Sequence, residues 1–375
     1  MRNLLIVAGE NSGDQHAAKM LAHLKEQYPD LQTWGYGGEK LEAEGMEILE
    51  HCRDLAVMGI TEVLKRYGYF KRIFRELLQE IETRKPDALL LVDYPGFNLR
   101  LAAALKGSGI PIIQYVCPQV WAWKAGRIQK MERDLHGVLC LFPFEPPLFE
   151  QGPLAAELAG HPLVDGCAGV LADDQWGGEG PKLALLPGSR SQEIERLFVP
   201  MLDTLKELRK TQPDLQVRVP AANKELLLRM QELLKQEALD GVRIQEGGMR
   251  ELVKGADVAL VCSGTATLEC GLLGTPLVLA YKTSALTYAI GKRVVKVPHI
   301  GLVNLVADNE VCKEFIQDAF TAEAVAEEVA SLLPGTEKRD AQILELQGLH
   351  AKLRSDEGGR RPAQLFLDML KSEHR

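Results

Sequence analysis

The strongest constraint on this chain is a pattern it repeats. An apolar run of four or five residues stops at a turn of small and polar residues, and a helical pattern follows. Leu4–Ala8 stops at Gly9-Glu10-Asn11-Ser12-Gly13-Asp14, and Ala17, Met20, Leu21 and Leu24 then share one helical face between His16 and Gln27. Leu183–Leu186 stops at Pro187-Gly188-Ser189-Arg190 and runs on through Glu193 and Glu195. Val258–Val261 stops at Cys262-Ser263-Gly264-Thr265 and continues past Glu269. A continuous apolar run, as opposed to an alternating one, belongs to a strand covered on both faces. Runs at Thr33–Gly38, Ala88–Val92, Ile110–Val116, Val138–Phe142, Leu215–Pro220, Val242–Gln245 and Pro276–Ala280 complete a βαβα order in both halves. The economical architecture is α/β, with two Rossmann-like doubly wound lobes facing a central cleft. The first lobe is expected at 1–165 and the second at 166–357, with the crossing at Gly160–Asp165 and a polar, glycine-rich linker or loop at Leu171–Lys182. Leu365, Leu367, Met369 and Leu370 predict a last helix, about 358–375, that packs back on a lobe, the first being the candidate.

Composition narrows the function classes. The 375 residues are 46% hydrophobic, enough for two cores, and carry a formal net charge of −8, which excludes a nucleic-acid coat. No apolar run approaches the ~18 residues a spanning helix needs. The start, Met1–Gly9, reads as a first strand and not as a secretory leader. Seven scattered cysteines without a C-x-x-C fit a reducing compartment and supply neither a disulfide frame nor a zinc knuckle.

The turns carry the candidate chemistry. Ser189 is placed to cap the helix that opens after Pro187-Gly188, and free N–H groups and the dipole at such a start attract anions. Arg190 adds a permanent charge with forked donors, a setting for phosphate or diphosphate. Ser263, Gly264 and Thr265 repeat that setting, and Glu269 lies one turn after Thr265, suited to a ribose. Glu10, Ser12, Asp14 and Asp93 fall at carboxyl ends of parallel strands, where open α/β sheets bind ligands. Gln119 and Trp121, on a loop with Trp123, offer a flat wall with a hydrogen-bonding head. His161 and Asn304 are expected to reach the cleft. Each has a plain alternative: a solvated arginine on an ordinary turn, a helix cap, a packed loop, a structural histidine. Lys65–Arg75 holds five basic and four aromatic residues and no acid. Phe70, Ile73, Phe74, Leu77, Leu78 and Ile81 form a helical stripe that reads as core. Val63, Leu64, Lys65, Arg66, Tyr67, Tyr69, Phe70, Lys71 and Arg72 make a patch suited to anionic headgroups. No Asp-x-Asp occurs, so a metal-held diphosphate is not expected.

Ala8–Asp14, Leu55–Leu64, Val120–Trp123, Leu186–Arg190 and Ser263–Glu269 resemble, in order and across most of the chain, the lipid-A-disaccharide synthases, two-lobed glycosyltransferases of the GT-B type. The resemblance implies inverting transfer of 2,3-diacylglucosamine from its UDP conjugate to 2,3-diacylglucosamine 1-phosphate, giving a β(1→6) disaccharide and UDP. It also implies no cofactor, a peripheral place on the cytoplasmic face of an inner membrane, and a homodimer, for which the C-terminal segment is the candidate contact. Carried over by motif, Arg190 neutralises the leaving diphosphate. Ser263, Gly264, Thr265 and Glu269 hold UDP, and Glu10, Ser12 and Asp14 line the acceptor side. Asn304 matches a Pro-Asn loop in which Val303 replaces the proline. Some members carry an aspartate, a candidate general base, where this chain has Gly96. Asp93 becomes the first choice, with Asp14 and His16 in reserve. Another UDP-sugar transferase, an epimerase of the same fold, or a non-catalytic nucleotide-binding module are the competing readings.

Overall fold

A computed structural model describes residues 1–55, 66–120, 125–284, 287, 288, 292, 297–353 and 360–371. The chain divides into two units: Met1–Pro162 with the C-terminal stretch from Arg354, and Leu163–Leu353.

Unit 1 holds a seven-stranded parallel sheet: β1 (Asn3–Ala8), β2 (Gln32–Gly37), β3 (Glu47–His51), β4 (Ala88–Val92), β5 (Ile112–Tyr115), β6 (Gly137–Cys140) and β7 (Ala155–Leu158), in the order β3-β2-β1-β4-β5-β6-β7. Its helices are α1 (Asn11–Gln27), α2 (Glu39–Ala43), α3 (Cys52–Leu55), α4 (Tyr67–Arg84), α5 (Pro95–Ala104) and α6 (Ile128–Asp134). Successive side chains of β1 explain its unbroken apolar run. Leu4, Ile6 and Ala8 pack against α1 on one face, while Leu5 and Val7 pack against Ile73, Leu77 and Ile81 of α4 and Phe97 of α5 on the other. The stripe on α4 is therefore core, as its spacing predicts.

Unit 2 holds β8 (Lys182–Leu186), β9 (Gln216–Ala221), β10 (Val242–Glu246), β11 (Val258–Val261), β12 (Leu277–Tyr281) and β13 (Glu314–Ile316), in the order β10-β9-β8-β11-β12-β13, again parallel throughout. Its helices are α7 (Leu163–Cys167), α8 (Ser191–Arg209), α9 (Lys224–Gln236), α10 (Met249–Lys254), α11 (Thr265–Leu273), α12 (Leu302–Ala307), α13 (Ala322–Ala330) and α14 (Glu337–Leu353). The last helix, α15 (Arg360–Lys371), belongs to unit 1: Ala363, Phe366 and Leu367 are buried in the α1-side core. Burying Phe366 and Leu367 contributes on the order of 3–6 kcal/mol before the cost of ordering the helix.

Three strands escape the sequence pattern. β3 and β7 lie at the edges of their sheet, are only partly buried, and so lack the continuous apolar run; β13 has three residues. The stretch expected as linker or loop, Leu171–Lys182, is a loop up to Pro181, where β8 begins at Lys182, and not a free linker. Trp176 is buried, donates its indole N–H to Leu252 O at 3.1 Å, and lies where a Cβ on Gly255 would strike it at 2.7 Å. Buried Arg218 pairs with Asp173 at 2.8 Å and stacks 5.3 Å from the Trp176 ring, which pins the loop to unit 2.

Candidate active site

Both sheets reverse their strand order at one place, β1 beside β4 in unit 1 and β8 beside β11 in unit 2. The loops leaving those strands diverge there, and ligands of doubly wound sheets bind in the crevice so formed. Arg190 follows β8, Ser263–Thr265 follows β11, Glu10 and Ser12 follow β1, and Asp93 follows β4.

In unit 2, the turn after β8 brings Gly188 to a φ of +128°, and a Cβ there would meet the Glu193 carboxylate at 2.4 Å. Only glycine satisfies both demands. The helix begins at Ser191, so Ser189 is not its cap. Glu193 closes the start instead. Its Oε2 accepts from the N–H groups of Ser189 and Arg190 at 2.8 and 3.1 Å, and its Oε1 accepts from the Arg190 guanidinium at 2.8 Å. The arginine is 71% exposed, so most of its fork stays open to a ligand. Gly264 turns the chain at a φ of +136° into α11, whose first residue, Thr265, is exposed. Ser263 donates its hydroxyl to Ile300 O at 3.1 Å. Glu269 is buried and accepts from Arg250 Nε at 2.8 Å, while Arg250 also holds Gly166 O at 2.9 Å. That arginine, and the half-buried Tyr281 at the end of β12, are partners the motif reading missed. Burial, with Glu193 and Cys262 nearby, pushes the Tyr281 phenol above its ordinary pKa, against the pull of Arg196 and Arg190. Arg250 sits on α10 and Tyr281 on a third strand, outside any local motif.

In unit 1, Asp93 and Tyr94 are consecutive non-glycine residues in the left-handed region, at φ 49° and 46°, and Val116 at the end of β5 is a third, at 68°. Such residues cost about 1–3 kcal/mol each and persist where surroundings over-determine them. The buried amides of Asn98 and Gln114 do so, donating to Asp93 O at 2.9 and 3.1 Å, and Gln114 also to Tyr115 O and Val116 O. The Tyr94 ring lies over Gly9, where a Cβ would meet it at 2.4 Å. Burial raises the Asp93 pKa above the usual carboxylate range, and Glu10 is raised by desolvation and by Asp93 itself. Ser12 is exposed beside them. His16 and His161 are both driven to about 4, chiefly by burial, with Lys19 adding to the first and His16 to the second. Their imidazoles are therefore neutral at pH 7. The His16 Nδ1 is buried without a hydrogen-bond partner among the described residues, and His161 packs 5.0 Å from Phe142.

Two further expectations are corrected. Asp14 does not line an open site: it is buried, and its carboxylate accepts the N–H groups of Gly38, Lys40 and Leu41 at 2.7, 3.0 and 3.2 Å, capping α2. Asn304 is not on a loop entering a cleft. It lies on α12, fully buried, with its amide donating to Cys312 O and Glu314 Oε1 and accepting from Cys312 N. Gln119 is exposed, and Trp121, Trp123, Val63, Leu64 and Lys65 lie outside the described residues. Arg66 stacks 4.5 Å from the Tyr69 ring, Arg72 at 5.6 Å from it, and Tyr67 is exposed. Among the described residues one group has metal-like spacing, Cys117, Cys140 and Glu145, all buried with donor atoms within 4.8 Å of one another. Its Glu145 anchors the turn by accepting from Leu141 N and Phe142 N. The Cys117 thiol is held protonated by its hydrogen bond to Cys140 and by burial.

Two parallel doubly wound sheets in one chain, each with polar groups collected at its switch point, are the arrangement of the GT-B fold. Solved structures share that fold. A UDP-GlcNAc 2-epimerase from Neisseria meningitidis aligns over 100% of both chains with a TM-score of 0.61 at 13% identity. The glycotransferase of kitacinnamycin aligns over 98% of both chains with a TM-score of 0.59 at 15% identity. The chain belongs to the lipid-A-disaccharide synthetase family, whose model matches residues 4–365. The lipid-A-disaccharide synthase of Myxococcus xanthus is 39% identical over 98% of this chain and 97% of its own length. That of Syntrophus aciditrophicus is 37% identical over 98% of each.

Proposed function

We propose that the chain transfers 2,3-diacylglucosamine from UDP to the 6-hydroxyl of 2,3-diacylglucosamine 1-phosphate, with inversion, in one displacement. The acceptor oxygen bonds to the anomeric carbon as the bond to the UDP oxygen breaks, and the hydroxyl proton passes to a base. Asp93 is that base. Its raised pKa makes it a stronger proton acceptor than an ordinary aspartate, and its strained turn fixes its direction. Burial lowers His16 and His161 to about 4, which makes them far weaker proton acceptors than ordinary imidazoles. Arg190 meets the charge that develops on the departing diphosphate, aided by the start of α8. The backbone N–H groups of Ser263, Gly264 and Thr265, with the Thr265 hydroxyl, hold its oxygens, and Glu269, oriented by Arg250, takes the ribose hydroxyls. Glu10 and Ser12 line the acceptor side. The observation that carries this reading is the pairing of Arg190 and Asp93 with the two switch points. The experiment is UDP release from UDP-2,3-diacylglucosamine with mass analysis of the lipid product. UDP formed without a disaccharide 1-phosphate refutes the reading.

No helix among the described residues is long and apolar enough to cross a membrane. We further propose a peripheral place on the cytoplasmic face of the inner membrane, supported by the basic and aromatic residues Arg66, Tyr67, Tyr69, Phe70, Lys71 and Arg72, which suit anionic lipid. A homodimer formed through the C-terminal segment completes it, and sedimentation of the wild type against a variant charged at the exposed Gln364 of α15 tests that part.

A further inference from the structure

α5 follows directly from the Asp93 turn and separates two depressions of unit 1. One is an apolar cavity of about 520 Å³ walled by Leu55, Phe70, Phe74, Tyr94 and Phe97. The other is a groove of about 420 Å³ that gathers Arg100, Arg127, Lys130 and Arg133. Arg133 is neutralised by Asp134, whose oxygens it holds at 2.6 and 2.7 Å, while the groove's other three cations have no ion-pair partner among the described residues. Gly96 and Arg100, one helical turn apart, line both depressions. The two depressions therefore adjoin at these residues, apolar on one side of the helix and cationic on the other. A ligand matching both carries a hydrocarbon chain and a phosphate a few atoms apart.

We propose that α5 is the saddle for the acceptor lipid, with an acyl chain of 2,3-diacylglucosamine 1-phosphate in the apolar cavity and its phosphate monoester on Arg100, Arg127 and Lys130. This rests on the reaction proposed above. The dianion is matched by forked and point-charge donors together, and the cavity has the size and lining of small-molecule pockets. Gly96 is the point where the site is tunable. A Cβ there meets nothing within 4 Å, so a larger side chain grows into the cavity and groove without displacing the fold.

The test compares acceptors with and without the 1-phosphate, and with acyl chains of graded length, on the wild type, Arg100→Gln/Lys130→Gln and Gly96→Leu. The charge variant is expected to raise KM for the phosphorylated acceptor at least ten-fold and to lower the preference for phosphorylated over dephosphorylated acceptor by the same factor. Arg100→Lys is expected to recover part of that preference. Gly96→Leu is expected to move the preferred acyl length downward. Wild-type phosphate preference and length profile in both variants overturn the proposal. So does a charge variant that loses only binding to anionic vesicles, which assigns the groove to bulk lipid. Equilibrium binding of the two acceptors in detergent, measured by calorimetry, reads the site even where no turnover occurs. Selective binding without transfer refutes the reaction and keeps the site, and transfer without selectivity does the reverse.

Discussion

Replacing Arg190 by alanine separates two roles by size. The guanidinium is 71% exposed and makes one ion pair, at 2.8 Å, to Glu193 in the first turn of the helix that follows it. An exposed pair of this kind contributes ~0.2–1 kcal/mol. The two backbone bonds that Glu193 makes to Ser189 and Arg190 survive the truncation. The variant is therefore expected to melt within a few degrees of the wild type. Turnover behaves differently. Removing a charge partner of a developing oxyanion costs ~10²-fold, about 2.7 kcal/mol at 1.36 kcal/mol per decade. The catalytic loss then exceeds the stability loss several-fold. It should appear in kcat for UDP release more than in UDP-sugar affinity, because the charge is larger in the transition state than in the bound donor. Arg190→Lys keeps the charge without the fork and should fall between. Steady-state UDP release, donor binding by calorimetry and thermal unfolding on the same preparations decide it. Full turnover in Arg190→Ala, or a loss confined to stability, refutes the assignment.

Asp93→Asn should abolish the acidic limb of the pH–rate profile, and an unchanged profile moves the base elsewhere. Because the folded pKa of Asp93 is raised, its contribution to stability is present at low pH and lost as pH rises through that value. The asparagine variant should thus melt higher than the wild type at pH 7. The two buried histidines act in the opposite sense: with pKa values depressed from 6.5 to about 4, they make unit 1 less stable as pH falls across that window. His161→Phe should remove on the order of 3 kcal/mol of that dependence, read as a flatter melting-temperature profile between pH 4 and 6.5. Asn304→Ala leaves Cys312 N–H and C=O without their side-chain partner inside unit 2 and should cost ~2–4 kcal/mol, with acceptor KM unchanged in the folded fraction. Replacing Arg66, Lys71 and Arg72 by glutamine should weaken binding to anionic vesicles by ~1 kcal/mol per charge. The wild-type interaction should fade with salt, and salt-insensitive binding would count against the patch.

The sequence by itself determined the architecture. A parallel strand covered on both faces must be apolar at every position, so β1, β4, β8 and β11 announce themselves, and the turn that ends each one is visible beside it. For the same reason the loops that carry Arg190, Ser263, Glu10 and Asp93 were legible as candidate sites before any coordinates. What a polar side chain does there was not legible, because that depends on which groups the folded backbone turns toward it, near or far in the chain. Asp14 looks like a ligand-lining carboxylate until α2, more than twenty residues away, presents three amides to it. Asn304 looks like a cleft amide until β13 returns beside it. Ser189 looks like a cap until Glu193 reaches back and takes the position. Arg250 behind Glu269, the left-handed backbone at Asp93, Tyr94 and Val116, and the two depressions that meet at Gly96 exist only once the strands are ordered. Periodicity reports which face a residue turns to the core and is a local property. Hydrogen-bond partners, burial and the field at a carboxylate are set by neighbours the chain meets only on folding.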